Sequence, residues 1–381
     1  MHLVDDYDPE SGFFFGTSAR SLLTRGSAVV LPGRGGLAPR RAETVLAALG
    51  ADQILVGAIP FDDHRPAHLV VPEDHRWGPA LPPETGDAPS RPVTPRHEPP
   101  PEEYRRAVAE ALDRIGHSDL SKVVLARSVR IPLPEPVRIP RLLRRLRQAG
   151  GFVFGCALPG HRVLVGGSPE LLVSRDGDTV VAHPLAGSRP RAGDPAIDRR
   201  RAAELLDSDK DRREHALVVA DIAKALAPFC RDLSAPPRPE IVTTSHMMHL
   251  GTRITGVLAE PRPSALSLAA ALHPTPAVCG TPTGTAQETI RRLEGFDRDF
   301  YAGMVGWCDS TGDGEWAVTI RCAELAPGGA RLFAGAGVVA GSTPEAELAE
   351  TDAKLATMLS ALGARLDGEE VGRDRRIHAV A

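Results

Sequence analysis

Residues 152–187, FVFGCALPGHRVLVGGSPELLVSRDGDTVVAHPLAG, contain four short runs rich in apolar and β-branched residues. Glycine and proline separate the runs at short intervals, which leave no room for a helix between consecutive strands. The stretch therefore predicts antiparallel β-hairpins and argues against βαβ units. Glu170 is unusual within it, because it places a carboxylate directly before LLVS, a run that is typical of a buried strand.

The strand pattern continues beyond this stretch. Further strand-like runs are KVVLARSVRI at 122–131, EWAVTIRCAEL at 315–325 and ARLFAGAGVVA at 330–340. Helical periodicity and proline or glycine boundaries predict helices at 100–116, about 210–227 and about 344–362. This mixture predicts an α+β protein.

The first hundred residues and the C-terminal end carry weaker signals. Residues 1–60 alternate apolar runs with one helical stretch, PRRAETVLAALG at 39–50, which Gly50 would close. Residues 79–101 contain nine prolines, which predict an extended, mobile surface segment and not necessarily a domain boundary. Residues 364–381 are expected to form a polar tail that is frayed over GEEVGRDRRIHAVA, residues 368–381.

Composition argues against several classes of protein. The 381 residues suffice for one large unit or for two or three domains, and the net charge of −4 gives no general attraction to nucleic acid. No run approaches the roughly 20 apolar residues that span a bilayer, and the acidic N-terminus lacks the basic start of a signal peptide. Five cysteines without C-x-x-C spacing predict neither a disulfide framework nor a zinc site. We therefore expect a cytoplasmic protein that binds neither membrane nor nucleic acid.

Lysine is rare in this chain. Only four of the 45 basic residues are lysines, namely Lys122, Lys210, Lys224 and Lys354. Arginine stays protonated in proteins, whereas lysine can lose its proton. A retained lysine can therefore hold a position that arginine cannot fill, although four residues are too few to exclude chance.

Three glutamates on two predicted helices are candidate metal ligands. Glu214 extends the apolar stripe of its helix, so its side chain either lies at the rim of a core or reaches inward to a ligand. Glu347 and Glu350 share one face of the last helix, where the simpler alternative is a solvated face with a Glu350–Lys354 pair. Mg²⁺ takes one or two protein carboxylates and fills its other positions with water or an anionic ligand. Spacing alone does not choose between these alternatives.

Other candidate site residues interrupt strands or form turns. Arg321 lies inside an apolar run, where an inward guanidinium would bind a carboxylate and an outward one is commoner. AGAGVV at 334–339 either presents backbone N–H groups to an anion or is simply a strand of small residues. HPLAGSR at 183–189 and HPTPAVCGTP at 273–282 are irregular turns that are suited to line a pocket.

Taken in order, these motifs resemble the chorismate-utilising enzymes, most of all the isochorismate synthases that feed catecholate siderophores. The resemblance covers about residues 100–363, and it is specific because many motifs occur in sequence. It is carried by SPELL (168–172), PLAGSR (184–189), KDRREH (210–215), HMMHL (246–250), HPTPA (273–277), FDRDFYAGMVGWCDSTGDGEWAVTIRCAEL (296–325), LFAGAGVV (332–339) and AETDAKL (349–355). It implies one monomeric α+β unit, a large antiparallel β-sheet sandwich with helices packed outside, in which residues 1–99 are the N-terminal part of the same fold.

The resemblance implies a role for each candidate residue. Lys122 matches the general base that deprotonates the attacking water, and Glu170 matches the general acid that protonates the departing hydroxyl. Glu214, Glu350 and Glu347 match the Mg²⁺ ligands, the last directly or through water, and the metal holds the ring carboxylate of chorismate. The positions that contact the substrate or wall its pocket are Gly187, His249, Ala277, Arg321, Gly335 and Lys354.

These roles agree with the chemistry of the residues. Exchange of the C4 hydroxyl for a new hydroxyl at C2 requires one proton to leave water and another to reach the departing oxygen. A free lysine has a pKa near 10.4, so Lys122 would need a lowered pKa to act as a base. Burial would raise the pKa of Glu170, which would explain a carboxyl group at the start of a buried strand.

Two positions separate the nucleophiles that this family uses. Enzymes that add ammonia have glutamine where this chain has Lys122. Aminodeoxychorismate synthases have a nucleophilic lysine in PIKG, where this chain reads PLAG with Ala186. The resemblance therefore predicts an Mg²⁺-dependent isochorismate synthase. A salicylate synthase, which goes on to eliminate pyruvate, is the first alternative, and a non-catalytic chorismate-binding protein is the second.

Overall fold

The computed structural model describes residues 2–31, 33–34, 38–84, 91–148 and 150–366, and this part of the chain contains twenty-four strands. In chain order they are β1 (Phe13–Gly16), β2 (Arg20–Arg25), β3 (Val29–Leu31), β4 (Ile54–Ile59), β5 (His68–Val71), β6 (Asp74–Pro79), β7 (Arg91–Val93), β8 (Arg96–Glu98), β9 (Lys122–Pro132), β10 (Phe152–Leu158), β11 (Arg162–Ser168), β12 (Leu171–Asp176), β13 (Thr179–His183), β14 (Leu185–Pro190), β15 (Cys230–Ser234), β16 (Glu240–Thr243), β17 (Met247–Gly251), β18 (Ile254–Leu258), β19 (Gly280–Thr281), β20 (Met304–Asp309), β21 (Gly314–Val318), β22 (Cys322–Ala326), β23 (Gly329–Val339) and β24 (Ala364–Leu366).

The α-helices lie between these strands. They are α1 (Ala38–Leu46), α2 (Pro101–His117), α3 (Ile139–Arg147), α4 (Pro195–Asp207), α5 (Asp209–Leu226), α6 (Ala265–Leu272), α7 (Thr283–Leu293) and α8 (Pro344–Leu362). Across the described ranges, no helix combines the length and the apolar character needed to cross a membrane.

Two large antiparallel sheets form the centre of the molecule. The first has the order β19-β9-β23-β22-β11-β10-β1-β2-β6, with β8 beside β9, and the second has the order β15-β18-β13-β12-β21-β20-β4-β5-β3. One hydrophobic core takes side chains from both sheets, such as Leu125 and Phe154 from the first and Val56 and Trp316 from the second. The chain therefore folds as the predicted α+β sheet sandwich, and β1 to β6 pair within its two large sheets.

A third, smaller sheet has the order β14-β17-β16. It has a small core of its own, in which Leu205 of α4 packs on Met248 and Leu250 of β17. Strand β14 also lies against α5. This sheet and the start of α5 therefore form one side of the region between the large sheets.

Among the points at which the described chain crosses between the two large sheets, two carry candidate site residues, Glu170 and Arg321. The first crossover is Pro169–Glu170, between β11 of the first sheet and β12 of the second; the second is residues 319–321, between β21 and β22. The crossovers bond to each other, because the N–H of Val318 donates to the carbonyl of Glu170 (3.1 Å) and the N–H of Gly167 donates to the carbonyl of Arg321 (3.1 Å). The predicted hairpins β10–β11 and β12–β13 are confirmed, but they belong to different sheets.

The helices that carry the candidate site residues begin and end at ordinary capping signals. The hydroxyl of Ser208 accepts a hydrogen bond from the N–H of Asp211 at the start of α5, and that of Thr343 accepts from the N–H of Ala346 at the start of α8. Gly363, with a φ of 67°, ends α8 in the left-handed conformation that glycine adopts without strain. The three helices predicted at 100–116, 210–227 and 344–362 are confirmed to within a residue or two.

Three expectations for the chain ends need correction or completion. Helix α1 ends at Leu46 and not at Gly50, because the following N–H groups of Ala48 and Leu49 bond three residues back in turns. Residues 364–366 do not belong to a polar tail, since they form β24 beside β7 with Ala364 and Leu366 buried. Within the proline-rich segment, β7 and β8 are extended as predicted and are paired in sheets. Residues 85–90 and 367–381 lie outside the described residues, so their predicted mobility stays a prediction.

Candidate active site

A small cavity lies where the two crossovers meet β14, α5 and α8. Its volume is about 50 Å³, below the roughly 300–1,000 Å³ typical of ligand pockets, so its side chains would have to separate to admit a ring-sized ligand. Nine of the predicted site residues line it, namely Glu170, Gly187, Glu214, His249, Ala277, Arg321, Gly335, Glu350 and Lys354. The other two, Lys122 and Glu347, are almost fully buried beside it. The fold thus brings the predicted residues together from distant parts of the chain.

A larger surface cavity, of about 510 Å³, lies beside Phe61 and Gln287. Its two buried charges, Glu294 and Arg298, form a closed ion pair. Arg298 also donates to the carbonyls of Val124 (2.7 Å) and Val278 (2.8 Å), both of which line the smaller cavity. Because these charges are already used to join two walls of the smaller cavity, we regard the larger one as the weaker candidate.

Glu170 lies at the first crossover with 2% of its surface exposed. Its N–H donates to the hydroxyl of Ser168 (3.2 Å), and its Oε1 accepts a long hydrogen bond from the N–H of Leu185 (3.5 Å). Burial raises the pKa of Glu170 to about 7, against smaller opposing effects of the Leu185 N–H and of the Lys122 charge. A carboxyl group with this pKa is partly protonated at neutral pH, so it can donate a proton.

Lys122 begins β9 and is wholly buried. Its Nζ lies 2.9 Å from Oε1 of Glu214 on α5, as a close ion pair without hydrogen-bond alignment. The neighbouring strand β23 leaves room for the pair at Gly337, where a Cβ atom would collide with Oε1 of Glu214 and lie 3.1 Å from Cε of Lys122. The inward orientation of Glu214 is confirmed, and the alternative position at the rim of the core is wrong, because only 8% of the residue is exposed.

Glu347 and Glu350 do not form the solvated face that was the simpler alternative. Glu350 accepts a hydrogen bond from Ser188 (2.9 Å) and pairs with Lys354 at 2.6 Å. Glu347 is 1% exposed and accepts a hydrogen bond from Nζ of Lys210 (3.1 Å). Burial and the charge of Glu350 raise the pKa of Glu347; burial also opposes ionisation of Glu350, but Lys354 and Ser188 lower its pKa overall.

The carboxylates suit a hard divalent cation by their chemistry. Oε2 of Glu347 is buried and has no hydrogen-bond partner by distance and angle, although the nearby Ser342 hydroxyl helps to lower the pKa of this side chain. Among the described residues, no three acidic, histidine or cysteine side chains already stand close enough to hold an ion. Mg²⁺ needs only one or two protein carboxylates beside water and an anionic ligand. The residues therefore fit Mg²⁺, although lysines now neutralise the three carboxylates.

Arg321 lies in the second crossover and points inward, as the less common of the two alternatives predicted. Its φ of 51° is in the left-handed region, which is unfavourable for a residue with a Cβ atom by about 1–2 kcal/mol. Its Nη2 lies 3.4 Å from Nε2 of His249 on β17. Burial and the Arg321 charge hold the pKa of His249 well below its usual value, so this histidine is neutral. Within the described ranges, His249 is the one hydrogen-bond partner found for the Arg321 guanidinium, whose other N–H groups can bind an anion.

Lys354 extends from α8 toward β23. Its Nζ donates to the carbonyl of Gly335 (2.8 Å) as well as pairing with Glu350. Gly187 adopts a φ of 76° on β14, opposite Asp211 of α5, and Ala277 forms the far wall with Val278. The guanidinium of Arg321 and the ammonium of Lys354 therefore belong to residues that line the same small cavity.

Sequence reasoning missed three residues that the structure places at the site. Ser188 bonds Glu350, Lys210 bonds Glu347, and Tyr301 lines the cavity beside Gly335. Each carried a signal: Ser188 lies in the PLAGSR turn, Tyr301 lies in the FDRDFYAG motif, and Lys210 is one of the four lysines. None of these signals indicated which residue each side chain would contact.

The sequence and fold of this chain are similar to those of known proteins. Residues 77–363 match the family model of chorismate binding enzymes, a range that contains every site residue described above. The chain is 48% identical to the isochorismate synthase DhbC of Bacillus subtilis over 95% of this chain and 96% of that protein. It is 39% identical to the vibriobactin-specific isochorismate synthase of Vibrio cholerae over 96% and 95% of the two chains. The crystal structure of DhbC from Bacillus anthracis is similar with a TM-score of 0.89 and 44% identity, over 95% of this chain and 98% of that one.

Proposed function

Because this chain belongs to the family of chorismate-binding enzymes, we propose that it is an isochorismate synthase, which converts chorismate to isochorismate. Relatives with this activity align over nearly the whole length of both chains. The observation that carries the proposal is the buried carboxyl group of Glu170 at a cavity beside which Lys122 is also buried, against the lining residues Glu214 and Gly337. The reaction needs one group to give a proton and another to take one.

In the proposed reaction, Lys122 acts on the attacking water and Glu170 acts on the departing hydroxyl of chorismate. The amine of Lys122 removes a proton from water as the water oxygen bonds to ring carbon C2. The ring double bonds shift, the bond between C4 and its hydroxyl breaks, and protonated Glu170 gives its proton to that hydroxyl, which leaves as water. One hydroxyl enters and one leaves, so the product is an isomer of the substrate. Lys122 ends protonated and Glu170 ionised, and exchange of one proton restores both.

The cationic groups of the cavity are suited to hold the substrate carboxylates. We propose that Arg321 and Lys354 bind them, together with backbone groups near Gly187 and Gly335. Neutral His249 and small Ala277 would lie beside the ring, where a larger or charged side chain would compete with it.

We also propose that Mg²⁺ binds at Glu214 and Glu350, with Glu347 as a direct or water-mediated ligand. When bound, the metal would neutralise and position the ring carboxylate of chorismate. The unpartnered Oε2 of buried Glu347 supports this proposal. Glu214 would then be shared between the metal and its ion pair with Lys122.

The reaction is tested directly by its product. Purified protein with chorismate and Mg²⁺ at neutral pH is expected to give isochorismate, resolved by chromatography, without salicylate or pyruvate. A chelator should stop the conversion, and Mg²⁺ should restore it. Pyruvate released as fast as chorismate disappears would instead identify a salicylate synthase. Chorismate binding without turnover under any divalent cation would identify a non-catalytic binding protein.

Gly337→Ala tests whether the room beside Lys122 and Glu214 matters. The new methyl group would collide with the carboxylate of Glu214, so the ion pair must shift. Since a displacement of about 1 Å in a catalytic group can cost about 100-fold in rate, we expect kcat to fall by roughly that factor. Overpacking should also destabilise the protein by about 1–3 kcal/mol, measured by thermal unfolding.

Gly284→Ala is the matched control. Gly284 lies in α7, and a Cβ atom there would meet nothing within 4 Å. This variant should keep wild-type kcat and gain about 0.5–1 kcal/mol of stability from its higher helix propensity. Equal kcat values for the two variants would show that the packing at Gly337 does not position the reacting groups.

We propose that the isochorismate made here feeds 2,3-dihydroxybenzoate and a catecholate siderophore. The V. cholerae relative is vibriobactin-specific, and the B. anthracis structure is assigned as 2,3-dihydroxybenzoate-specific. We further propose a monomer that acts in the cytoplasm. All five cysteines are free thiols, as expected in a reducing compartment, and one chain supplies every residue of the proposed site.

A further inference from the structure

Three of the four lysines in this chain pair with the three carboxylates that we assign to Mg²⁺. The distances from Nζ to the carboxylate oxygen are 2.9 Å for Lys122–Glu214, 3.1 Å for Lys210–Glu347 and 2.6 Å for Lys354–Glu350. The fourth, Lys224, is exposed on α5. Since the other 41 of the 45 basic residues are arginines, lysine at these three positions indicates a requirement that arginine does not meet.

Lys210 differs from the other two lysines in its access to water. Its side chain is 29% exposed, whereas those of Lys122 and Lys354 are 1% and 14% exposed. Lys354 is also held by the carbonyl of Gly335, whereas Glu347 is the one hydrogen-bond partner found for Lys210 within the described part of the chain. To turn toward solvent, Lys210 therefore needs to break only its hydrogen bond with Glu347, and water would then hydrate its ammonium group.

Glu347, unlike Lys210, is not placed to turn toward solvent. Its side chain is 2% exposed, one oxygen has no hydrogen-bond partner, and Glu350 lies one helical turn away. A buried carboxylate without a compensating cation is strongly unfavourable, and a second carboxylate nearby increases the cost. While Glu347 is ionised, Lys210 or a metal ion must therefore stand beside it.

We propose that Lys210 is a displaceable counter-ion for Glu347. It holds and neutralises this carboxylate until a divalent cation binds, and then it turns toward solvent. A lysine suits this exchange because its ammonium is a single, strongly hydrated charge on a flexible stem. An arginine would bind both oxygens of Glu347 in a bidentate pair and resist displacement. Lys210 is then a positioning residue that sets the metal concentration at which the site fills, a role that rests on the proposed Mg²⁺ site.

Mn²⁺ binding to the full-length, chorismate-free protein tests the proposal, since Mn²⁺ accepts the same oxygen ligands as Mg²⁺. Free Mn²⁺ is followed by electron paramagnetic resonance. Lys210→Met should bind Mn²⁺ at least about tenfold more tightly than the wild type, because the metal no longer competes with a charged hydrogen-bond donor. Lys210→Arg should bind Mn²⁺ more weakly than the wild type. Without metal, Lys210→Met should melt at a lower temperature, and Mn²⁺ should raise its Tm by more than it raises that of the wild type.

Lys224→Met is the matched control, because it removes an exposed lysine from the same helix and should change neither the affinity nor the Tm shift. Equal or weaker Mn²⁺ binding by Lys210→Met would overturn the proposal, since it would make Lys210 a structural partner or a support for the metal. Absence of Mn²⁺ binding in the wild type would also overturn it, together with the metal site. The activity itself would be judged separately by the product assay.

Discussion

Lys122→Arg is expected to lower kcat by about 10²–10⁴-fold, the usual contribution of a general base, while chorismate still binds. Arginine keeps the positive charge beside Glu214 but cannot lose its proton, so it cannot deprotonate water. Initial rates of isochorismate formation measure the loss, and calorimetric titration with chorismate measures binding. Because Lys122 is wholly buried, the longer arginine also risks overpacking. Lys122→Gln, which is smaller and neutral, should show the same loss of rate.

Lys224→Arg is the control for this series, since the same exchange on the exposed face of α5 should leave kcat unchanged. Thermal unfolding of Lys122→Arg, Lys122→Gln and Lys224→Arg shows whether a loss of activity comes from loss of the base or from unfolding of the protein. A near-normal rate in either Lys122 variant would show that another group deprotonates the water. Loss of chorismate binding in both would instead make Lys122 a substrate ligand.

Glu170→Gln is expected to lower kcat by a similar factor of about 10²–10⁴, because the amide keeps the shape of the side chain but cannot donate its proton to the departing hydroxyl. Glutamine is neutral and should be tolerated in a buried position, where the wild-type carboxyl is itself partly neutral. We therefore expect a folded protein that binds chorismate and turns it over very slowly. The measurement is single-turnover formation of isochorismate at pH 6.5.

The pH dependence provides a second test of Glu170. Burial raises the pKa of its carboxyl group to about 7, so the proton-donating form is present below pH 7 and is lost as the pH rises through that value. The wild-type kcat/KM should therefore fall on the alkaline side with an apparent pKa near 7. The residual activity of Glu170→Gln should lack this decline.

Glu324→Gln is the control, because burial also raises the pKa of Glu324, which pairs with Arg162 away from the cavity. It should keep both the wild-type rate and the alkaline decline. If Glu170→Gln retained most of the activity, or kept the alkaline decline, the proton donor would have to be another residue.

Local patterns in the sequence predicted much of the fold. Helices α2, α5 and α8 and the hairpins β10–β11 and β12–β13 lie where periodicity, caps and turn residues placed them. These signals are reliable here because side chains three, four or two residues apart share a face of the same element. The order of motifs also predicted the family, and with it the set of residues at the cavity.

Local sequence patterns did not predict the contacts between elements that are far apart in the chain. Lys210 was conspicuous as a rare lysine, but its partner Glu347 is 137 residues away. Ser188 was part of a recognised turn, but it bonds Glu350 at a separation of 162 residues. No local preference links residues so far apart, so their pairing depends on how α5, α8 and the third sheet pack.

By itself, the sequence predicted part of the secondary structure and the family, and it supplied the hypothesis for the reacting groups, because these predictions depend on neighbouring residues and on ordered motifs. Only the tertiary structure decided that Glu170 and Arg321 lie at paired crossovers between two sheets. It also decided that each of the three acids faces a lysine. The raised pKa of Glu170 follows from that arrangement, since burial and nearby charge are properties of the whole packed molecule and not of any one segment.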